Sequence, residues 1–319
     1  MVFAGEAGSF TENAAIQYFS NSPLTTLKPV SSLAAIFSCI ESGEAQYGVV
    51  PIENSYSGTI HAVFDYLLRS KLSIHGEIGV RENVCLVGTG SKSEVKSVRG
   101  HPHILEACSR YLEMLGRTNN LETGEVTRIP ALNSALACID LKTQPKSVAA
   151  IAPQEAATRY DLTVLDSGIA NDSNVETRYL IIGCTKVEES GFNTSSLSSA
   201  SSLEVVYKTS LVLAIPNQQG SIFNIISQFA TRNINILKLE TRPASTAMDG
   251  VYSTSPRHWD YLFYIDFEAS KDPTTNTNLY SSLKEFSLWM RELGTYKATA
   301  SGLEVEVPDW ASISAISSC

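Results

Sequence analysis

The fold class is decided by residues 47–70, YGVVPIENSYSGTIHAVFDYLLRS. The stretch opens with an apolar run, passes through a polar turn, and continues with apolar residues at helical spacing. A short buried strand followed by an amphipathic helix is the repeating unit of α/β proteins. The same alternation recurs at 97–115 and 147–161, so we predict an α/β fold for the first part of the chain.

The last third of the chain has a different order of strand and helix patterns. Strand patterns occur at 209–216, 234–243 and 260–270, and helix patterns at 220–233 and 279–293, with a last strand expected within 295–307. The order βαββαβ predicts a ferredoxin-like α+β domain. We interpret the Ser-rich stretch at 188–203 as the linker to this domain and residues 244–258 as a polar insertion within it.

Composition excludes several classes of function. The chain has 24 Lys and Arg against 33 Asp and Glu, a net charge of −9. A basic face for nucleic acid is therefore not expected. The sequence shows no signal peptide and no apolar run of roughly 18 residues, so we predict a cytoplasmic protein without membrane contact. Six dispersed cysteines form no C-x-x-C pair, so we expect reduced thiols and no metal site.

Two polar turns that follow predicted strands are candidate ligand sites. Residues 5–12, GEAGSFTE, precede a helix, and the backbone N–H groups of such a loop can bind an anion. A plain capped helix with Ser9 and Glu12 at capping-box spacing fits equally well. Residues 51–59, PIENSYSGT, collect hydroxyl and amide groups at a strand end, where α/β crevices open. A polar surface turn is the alternative.

A third candidate lies at residues 171–179, NDSNVETRY, just before the apolar run LIIG. There the Arg178 guanidinium could grip a carboxylate while the neighbouring Thr177 hydroxyl donates a hydrogen bond. A surface salt bridge is the alternative for Arg178. His101 could titrate near neutral pH, or it could simply cap a helix.

Taken together and in this order, these motifs resemble the monofunctional prephenate dehydratase family. The resemblance rests on GEAGSFTENAA, GVVPIENSYSGTIHAVFDYLL, HPHILEACSRYL and NVETRYLIIG over nearly all of residues 1–185. The stretch 208–243 resembles the regulatory ACT domain of that family, with GSIF and ETRP in place of its Gly-Ala-Leu and Glu-Ser-Arg-Pro motifs. Tyr179 stands where the family has Phe, and Thr241 where it has Ser.

The resemblance implies a two-lobed, type II periplasmic-binding-protein-like catalytic region followed by the ACT domain. The expected divisions are lobe one at about 1–80 and 170–187, lobe two at about 81–169, the linker at 188–203, and the ACT domain with its tail at 204–319. The substrate site would lie in the cleft between the lobes. No fused chorismate mutase bundle is expected upstream.

The family reaction converts prephenate to phenylpyruvate with loss of CO2 and the ring hydroxyl, and it needs no cofactor or metal. By resemblance, Thr177 would donate toward the leaving hydroxyl, with Glu53 or His101 as a proton source, and Arg178 would pair with a substrate carboxylate. The catalytic candidates are Thr177, Arg178, Asn54 and Ser55. The substrate-binding candidates are Ser9, Phe10, Thr11, Glu53, Ser57, Gly58, Thr59, His101 and Asn174.

In the family, the ACT domain binds phenylalanine between subunits, so feedback inhibition by L-phenylalanine and a homodimer or homotetramer are expected. The matching residues are Asn217, Gly220, Ser221, Ile222, Phe223, Glu240, Thr241, Arg242 and Pro243. Two other functions stay open. One is an arogenate dehydratase, whose substrate carries an amine where prephenate carries a keto group, and the other is a noncatalytic amino-acid or keto-acid sensor.

Overall fold

A computed structural model describes residues 1–20, 26–184, 206–244 and 260–298. Three regions singled out in the sequence fall largely or wholly outside these residues: the Ser-rich linker, the insertion after Pro243 and the C-terminal tail. Within the described part, no helix is both long and apolar enough to cross a membrane.

The described elements follow one another in α/β order up to residue 184. The first group comprises β1 (Val2–Ala4), α1 (Phe10–Tyr18), β2 (Lys28–Val30), α2 (Leu33–Glu41), β3 (Tyr47–Asn54), β4 (Gly58–Thr59), α3 (His61–Arg69) and β5 (Leu72–Arg81). The second comprises β6 (Val84–Gly88), β7 (Ser97–Gly100), α4 (Pro102–Ala107), α5 (Ser109–Thr118), β8 (Thr127–Pro130), α6 (Ser134–Asp140), β9 (Val148–Pro153), α7 (Gln154–Arg159) and β10 (Thr163–Ser167), and the chain then returns as β11 (Glu176–Cys184).

These strands form two sheets. The sheet of the first lobe has the order β2-β1-β3-β11-β5, with β4 paired to β3, and the sheet of the second lobe has the order β10-β6-β9-β7-β8. The chain therefore crosses between the lobes twice, after β5 and before β11. This two-lobed arrangement confirms the predicted fold class.

Apolar spacing accounts for the helices of the first lobe. Ser32 caps α2 by accepting a hydrogen bond from the Ala35 N–H. Ile36, Phe37 and Ile40 are buried, because their helical spacing places them on one face of α2. They pack in one core with residues of α3, β3 and β11.

The C-terminal domain is a four-stranded antiparallel sheet with two helices. Its sheet order β13-β14-β12-β15 is the order 2-3-1-4 of a ferredoxin-like βαββαβ unit, as predicted. Its elements are β12 (Tyr207–Ala214), α8 (Ser221–Ala230), β13 (Ile236–Pro243), β14 (Tyr261–Glu268), α9 (Pro273–Phe286) and β15 (Trp289–Lys297).

One boundary in this domain corrects the sequence interpretation. The helix predicted at 279–293 ends at Phe286, and Trp289 to Leu293 belong to β15. Apolar residues at 286, 289, 290 and 293 imitate helical spacing. Strand pairing with β12 decides the conformation instead, since Met290 and Arg291 lie opposite Leu213 and Val212.

Four cysteines, Cys39, Cys85, Cys108 and Cys138, are free thiols, which agrees with the expectation of reduced cysteines. Cys184 is disulfide-bonded, so that expectation is wrong for this residue.

The C-terminal sheet packs directly on the first lobe. Leu180 and Ile52 from the first lobe share a buried core with Val212, Tyr264 and Leu293 of the C-terminal domain. Arg291 reinforces the contact, because its guanidinium donates to the carbonyl oxygens of Leu67, Leu68, Ser70 and Leu72 at 2.7–3.2 Å. These carbonyls lie at and just after the C-terminal end of α3, where backbone acceptors lack helical partners.

Six charged side chains meet in this contact, and we refer to them as the interdomain charge cluster: Glu53, Glu77 and Arg178 from the first lobe, and Lys208, Lys238 and Asp266 from the C-terminal domain. Arg178 Nη2 lies 2.6 Å from Glu53 Oε2, and its Nη1 lies 3.1 Å from Glu77 and 3.2 Å from Asp266. Lys208 Nζ lies 2.8 Å from Glu77, and Lys238 Nζ lies 2.6 Å from Glu53. Three cations thus balance three carboxylates in a largely buried contact.

Removing the charge of Arg178 should destabilise the protein. The Arg178→Met variant removes a cation from beside Asp266 and from beside the Glu77 carboxylate, whose side chain is 4% exposed. Breaking a buried ion pair by removing one partner costs about 3–5 kcal/mol. We expect a loss of that size in the free energy of unfolding, measured by urea denaturation at neutral pH.

Lys28→Met is the matched control, since Lys28 pairs with Glu44 on the surface with both side chains about 60% exposed. Its cost should stay below about 1 kcal/mol. Equal effects of the two substitutions would contradict a stabilising role for the interdomain charge cluster.

Candidate active site

A crevice lies beside the second crossover segment, between the turn after β3 and the start of α5. The Glu82 N–H donates to the Val175 carbonyl at 2.9 Å, which holds the first crossover against the second. Asn171 connects the second crossover to α5, because its side chain accepts from the Arg110 N–H at 3.1 Å and donates to Ser109 Oγ at 3.0 Å. The crevice is lined by Tyr56, Ser109, Arg110, Asn171, Asp172 and Ser173.

Thr177 lies at the start of β11, and its side chain has close partners on β3 and on the first crossover. Its hydroxyl donates to Glu82 Oε1 at 2.6 Å and accepts from Asn54 Nδ2 at 2.7 Å. The residue is buried, with 4% of its surface exposed. The structure therefore brings together two predicted catalytic residues, Thr177 and Asn54, and adds Glu82, which the sequence analysis missed.

Asn54 also organises the polar turn between β3 and β4. Its Oδ1 accepts from the backbone N–H of Tyr56 at 2.9 Å and of Ser57 at 3.0 Å. These two bonds determine which end of the amide faces Thr177, so the amide nitrogen points to the hydroxyl. Gly58 closes the turn with a φ of +81°, a conformation that glycine adopts without strain.

The rest of this turn is bonded to β11. The Ser55 N–H donates to the Glu176 carbonyl at 2.9 Å, and Ser55 Oγ accepts from the Glu176 N–H at 3.0 Å. Ser55 therefore anchors the turn beside Thr177.

Tyr179 lies two residues after Thr177, on the same side of β11. Its hydroxyl is hydrogen-bonded to the hydroxyls of Thr11 and Thr177, and burial raises the pKa of Tyr179 well above the ordinary range. The first turn of α1, which carries Thr11, is thereby connected to the site. A phenylalanine at this position, as in the motif of the family that the sequence resembles, could not make these bonds.

The loop at residues 5–9 is structured differently from the predicted anion site. Ser9 caps α1 by accepting from the Glu12 N–H at 3.3 Å, as the capping-box spacing indicates. The Glu12 carboxylate accepts from the Gly8 N–H at 2.6 Å, and the Ser9 N–H donates to the Glu6 carbonyl at 3.2 Å. Two donors that an incoming anion would need are therefore already used.

This loop instead contacts the second lobe. The Tyr160 hydroxyl donates to the Ala7 carbonyl at 2.5 Å, and Arg159 lies 3.5 Å from Glu12. Phe10, a predicted substrate-binding residue, packs against the core of the second lobe. The predicted residue Phe10 thus contacts the second lobe, whereas Ser9 caps α1.

The placement of Arg178 corrects the expectation that it binds a substrate carboxylate. Successive side chains of a strand point to opposite faces of the sheet, so Arg178 and Thr177 lie on opposite sides of β11. The Arg178 guanidinium belongs to the interdomain charge cluster and contacts three carboxylates. It is committed to the contact between domains.

Glu53 and Thr59 also contact the C-terminal domain. Glu53 pairs with Arg178 across the strands, one residue before the pair of Asn54 and Thr177. Burial alone would raise the pKa of Glu53, but hydrogen bonds from Lys238 and Arg178 outweigh it and lower the pKa. Thr59 donates to Glu240 at 2.8 Å and accepts from Lys238 at 2.8 Å. The structure therefore does not support Glu53 as a proton source for Thr177.

Two other candidates are peripheral to Thr177. His101 is the N-cap residue of α4, its ring stacks 5.3 Å from that of His103, and burial lowers its pKa. The Asn174 N–H donates to Asp172 Oδ1 at 2.8 Å within the second crossover. Neither contact places a functional group against the Thr177 hydroxyl.

The predicted regulatory residues fall on two faces of the C-terminal sheet. Gly220 has a φ of +80° at the start of α8, and Phe223 on that helix is 72% exposed. Glu240 and Arg242 face the first lobe, where Arg242 Nη2 lies 2.7 Å from Asp65 and Glu240 bonds Thr59. Thr241 lies on the other side of β13, opposite Phe263.

Glu82 and Arg110 were missed because tertiary crossings bring them to the site. A usable signal existed only for Glu82, a carboxyl in the apolar crossover segment 76–88. Among the residues that the structure describes, no group of three or more His, Cys, Asp or Glu could hold a metal ion.

Comparison with known sequences identifies the family. A sequence model of the family described as prephenate dehydratase matches residues 1–187. The chain is 34% identical to arogenate dehydratase/prephenate dehydratase 1, chloroplastic, of Arabidopsis thaliana over 301 residues, which is 92% of this chain and 71% of that protein.

Two solved structures share the fold. A prephenate dehydratase from Arthrobacter aurescens, in complex with L-Phe, has a TM-score of 0.75 and 24% identity, covering 97% of this chain and 93% of its own. GqqA, a quorum-quenching acylase, has a TM-score of 0.71 and 21% identity, covering 93% of this chain and 97% of its own. At sequence identities of 21% and 24%, the two structures establish a shared fold and no shared activity, since one fold hosts different activities.

The sequence matches establish the family as well as the fold. The family match spans more than half of this chain, and the Arabidopsis relative aligns along nearly all of it. The chain therefore belongs to the prephenate dehydratase family and is a dehydratase.

Proposed function

We propose that this protein converts prephenate to phenylpyruvate, with release of CO2 and water. The observation that carries the proposal is the buried Thr177 hydroxyl, held between Asn54 and Glu82 where β11 follows the second crossover. The electron pair of the breaking bond to the carboxylate enters the ring, and the ring hydroxyl leaves with its own bonding pair. One proton is consumed in turning that hydroxyl into water.

Thr177 supplies the hydrogen bond to the departing oxygen. Orientation of a bound dianion in a closed crevice contributes most of the remaining acceleration, because aromatisation of the ring already drives the reaction. Asn54 and Ser55 fix the turn after β3 against Thr177 and Glu176 through their bonds to β11.

A cation for the substrate carboxylates is available in the second lobe. Arg178 is committed to the interdomain charge cluster, whereas Arg110 lines the crevice with an exposed side chain. We therefore assign carboxylate binding to Arg110, with Ser109 beside it as a further donor.

Arogenate is the second candidate substrate. The Arabidopsis relative is named for both activities, and a Petunia hybrida relative, 31% identical over 304 residues, is named arogenate dehydratase 2. Both substrates lose CO2 and the ring hydroxyl, so the Thr177 arrangement suits either. Family membership as a dehydratase favours these readings over a noncatalytic sensor.

The first experiment compares the two substrates on the purified full-length protein. We expect phenylpyruvate formation from prephenate at neutral pH, above an enzyme-free control, with a larger kcat/KM than phenylalanine formation from arogenate. A larger kcat/KM for arogenate would reassign the substrate, and turnover of neither would contradict the proposed function.

Thr177→Val tests the role of the hydroxyl with almost no change in side-chain shape. Removing one preorganised donor of this kind lowers kcat by about 100- to 1,000-fold. Thr163→Val, an exposed threonine on β10, makes the same exchange away from the crevice and should keep wild-type turnover. Wild-type kcat in a folded Thr177→Val protein would rule out the assignment.

We further propose that the C-terminal domain is an ACT domain that binds L-phenylalanine and lowers turnover. Two observations support this proposal. The Arthrobacter aurescens structure is described as a complex with L-Phe. The C-terminal domain also contacts the strands of the site, since Lys238 bonds Glu53, the residue before Asn54. A homodimer or homotetramer and a cytoplasmic location stay predictions, and the Arabidopsis relative is named as chloroplastic.

Phe223→Ala tests the effector site without touching the interdomain contact. Phe223 belongs to the predicted regulatory loop and is 72% exposed. We expect a more than tenfold rise in the L-phenylalanine concentration for half-inhibition, with kcat in its absence unchanged. Leu288→Ala, also in the C-terminal domain and 63% exposed, should leave inhibition as in the wild type. Equal inhibition of both variants would place the effector elsewhere.

A further inference from the structure

Hydrogen bonding at Thr177 depends on a single proton. A threonine hydroxyl has one hydrogen to donate and two lone pairs to accept with. Asn54 Nδ2, 2.7 Å away, can only donate, and the orientation of its amide is set by the Tyr56 and Ser57 N–H groups. The second partner, Glu82 Oε1 at 2.6 Å, accepts when ionised and donates when protonated.

The protonation state of Glu82 decides whether Thr177 can donate its hydrogen to a substrate. When Glu82 is ionised, the only hydrogen of Thr177 points to its carboxylate, and none is left for a departing hydroxyl. When Glu82 is protonated, its O–H and the Asn54 amide fill both lone pairs of Thr177, whose own hydrogen is then no longer held by Glu82 and can be donated to another oxygen. The Tyr179 hydroxyl, which is also bonded to Thr11, is the oxygen that accepts this hydrogen until a departing hydroxyl takes its place.

The surroundings of Glu82 favour the protonated form. Burial raises the pKa of Glu82, and the hydrogen bond from Thr177 opposes the rise only in part. The groups that face it are Thr177 and Tyr179 from β11 and the Cys108 thiol between α4 and α5. Burial raises the pKa of Cys108 to about 12, so this neighbour is neutral at pH 7. No salt bridge joins Glu82 to a cation within the described ranges, in contrast to Glu53.

We propose that Glu82 is the proton-holding residue of this site: its acid form directs the Thr177 hydrogen toward the leaving hydroxyl and replaces that hydrogen as it is transferred. The proposal rests on the proposed function and adds the source of the proton that the reaction consumes. Glu82 acts through Thr177 and is a positioning residue in this sense.

The proton passes from Glu82 through Thr177 to the departing oxygen. The ring C–O bond breaks with its electron pair on the departing oxygen, which takes the proton of Thr177 Oγ1 and leaves as water. Thr177 Oγ1 takes the Glu82 proton, so the hydroxyl is restored and Glu82 becomes a carboxylate. Glu82 then regains one proton from solvent before the next turnover. No metal, oxidant or reductant takes part in these steps.

The pH dependence of kcat tests the proposal, and its sign follows from the acid form being the active one. In the wild type, kcat should fall as pH rises through the raised pKa of Glu82. Glu82→Gln can donate to Thr177 but holds no transferable proton, so kcat should drop about 100-fold or more with KM nearly unchanged. The alkaline fall that belongs to Glu82 should disappear from the profile of this variant.

Two further variants separate this role from a structural one. Glu82→Asp keeps a titrating carboxyl, so it should keep an alkaline fall and recover part of the lost kcat. Glu122→Gln removes an exposed carboxylate of the second lobe and should reproduce the wild-type profile. A wild-type kcat in Glu82→Gln, or an alkaline fall that persists in it, would overturn the proposal.

Infrared difference spectroscopy provides a readout that needs neither substrate nor turnover. A protonated-carboxyl band should persist well above the ordinary glutamate pKa of about 4.3 in the wild type and be lost in Glu82→Gln. Absence of that band from the wild-type spectrum overturns the proposal even if no variant folds. Failure of the wild type on both prephenate and arogenate would overturn the proposed function, while the infrared band still reports on the Glu82 proton.

Discussion

The alternation of side chains along β11 is the constraint on which the rest of the structure depends. Thr177 and Tyr179 point to one side of the strand, toward α1 and the crossover that carries Glu82. Arg178 and Leu180 point to the other, into the contact with the C-terminal domain. One strand thus carries the site on one side and the domain contact on the other.

The neighbouring strand β3 repeats the division in register. Asn54 lies opposite Thr177, and Glu53 lies opposite Arg178, so a polar pair and an ionic pair follow each other directly. A shift of a single residue in this pairing would exchange their environments. Lys238 donates hydrogen bonds to Glu53 and Thr59, which flank the turn that Asn54 organises. The C-terminal domain therefore contacts this turn directly.

Much of this could be predicted from the sequence, and the exceptions have identifiable causes. Period and polarity were enough for the α/β alternation and the ferredoxin-like domain, and the family resemblance gave the two lobes and pointed to Asn54 and Thr177, which the structure places in contact. The resemblance pairs Arg178 with a substrate carboxylate, and the apolar run that starts at Leu180 does not reveal that the strand begins earlier. Since β11 begins at Glu176, alternation already separates Arg178 from Thr177. Glu82 could not be found by spacing, because its bond to Thr177 joins residues 95 positions apart.

A double-mutant cycle between Arg178 and Asp266 tests most directly whether the two sides of β11 have separate tasks. The Arg178→Met and Asp266→Asn variants and their combination would be measured both for the free energy of unfolding and for kcat/KM. Separate tasks predict a coupling energy of about 0.5–3 kcal/mol in unfolding and none in kcat/KM. A coupling in kcat/KM as large as that in unfolding would show that Arg178 serves the reaction, contrary to this account.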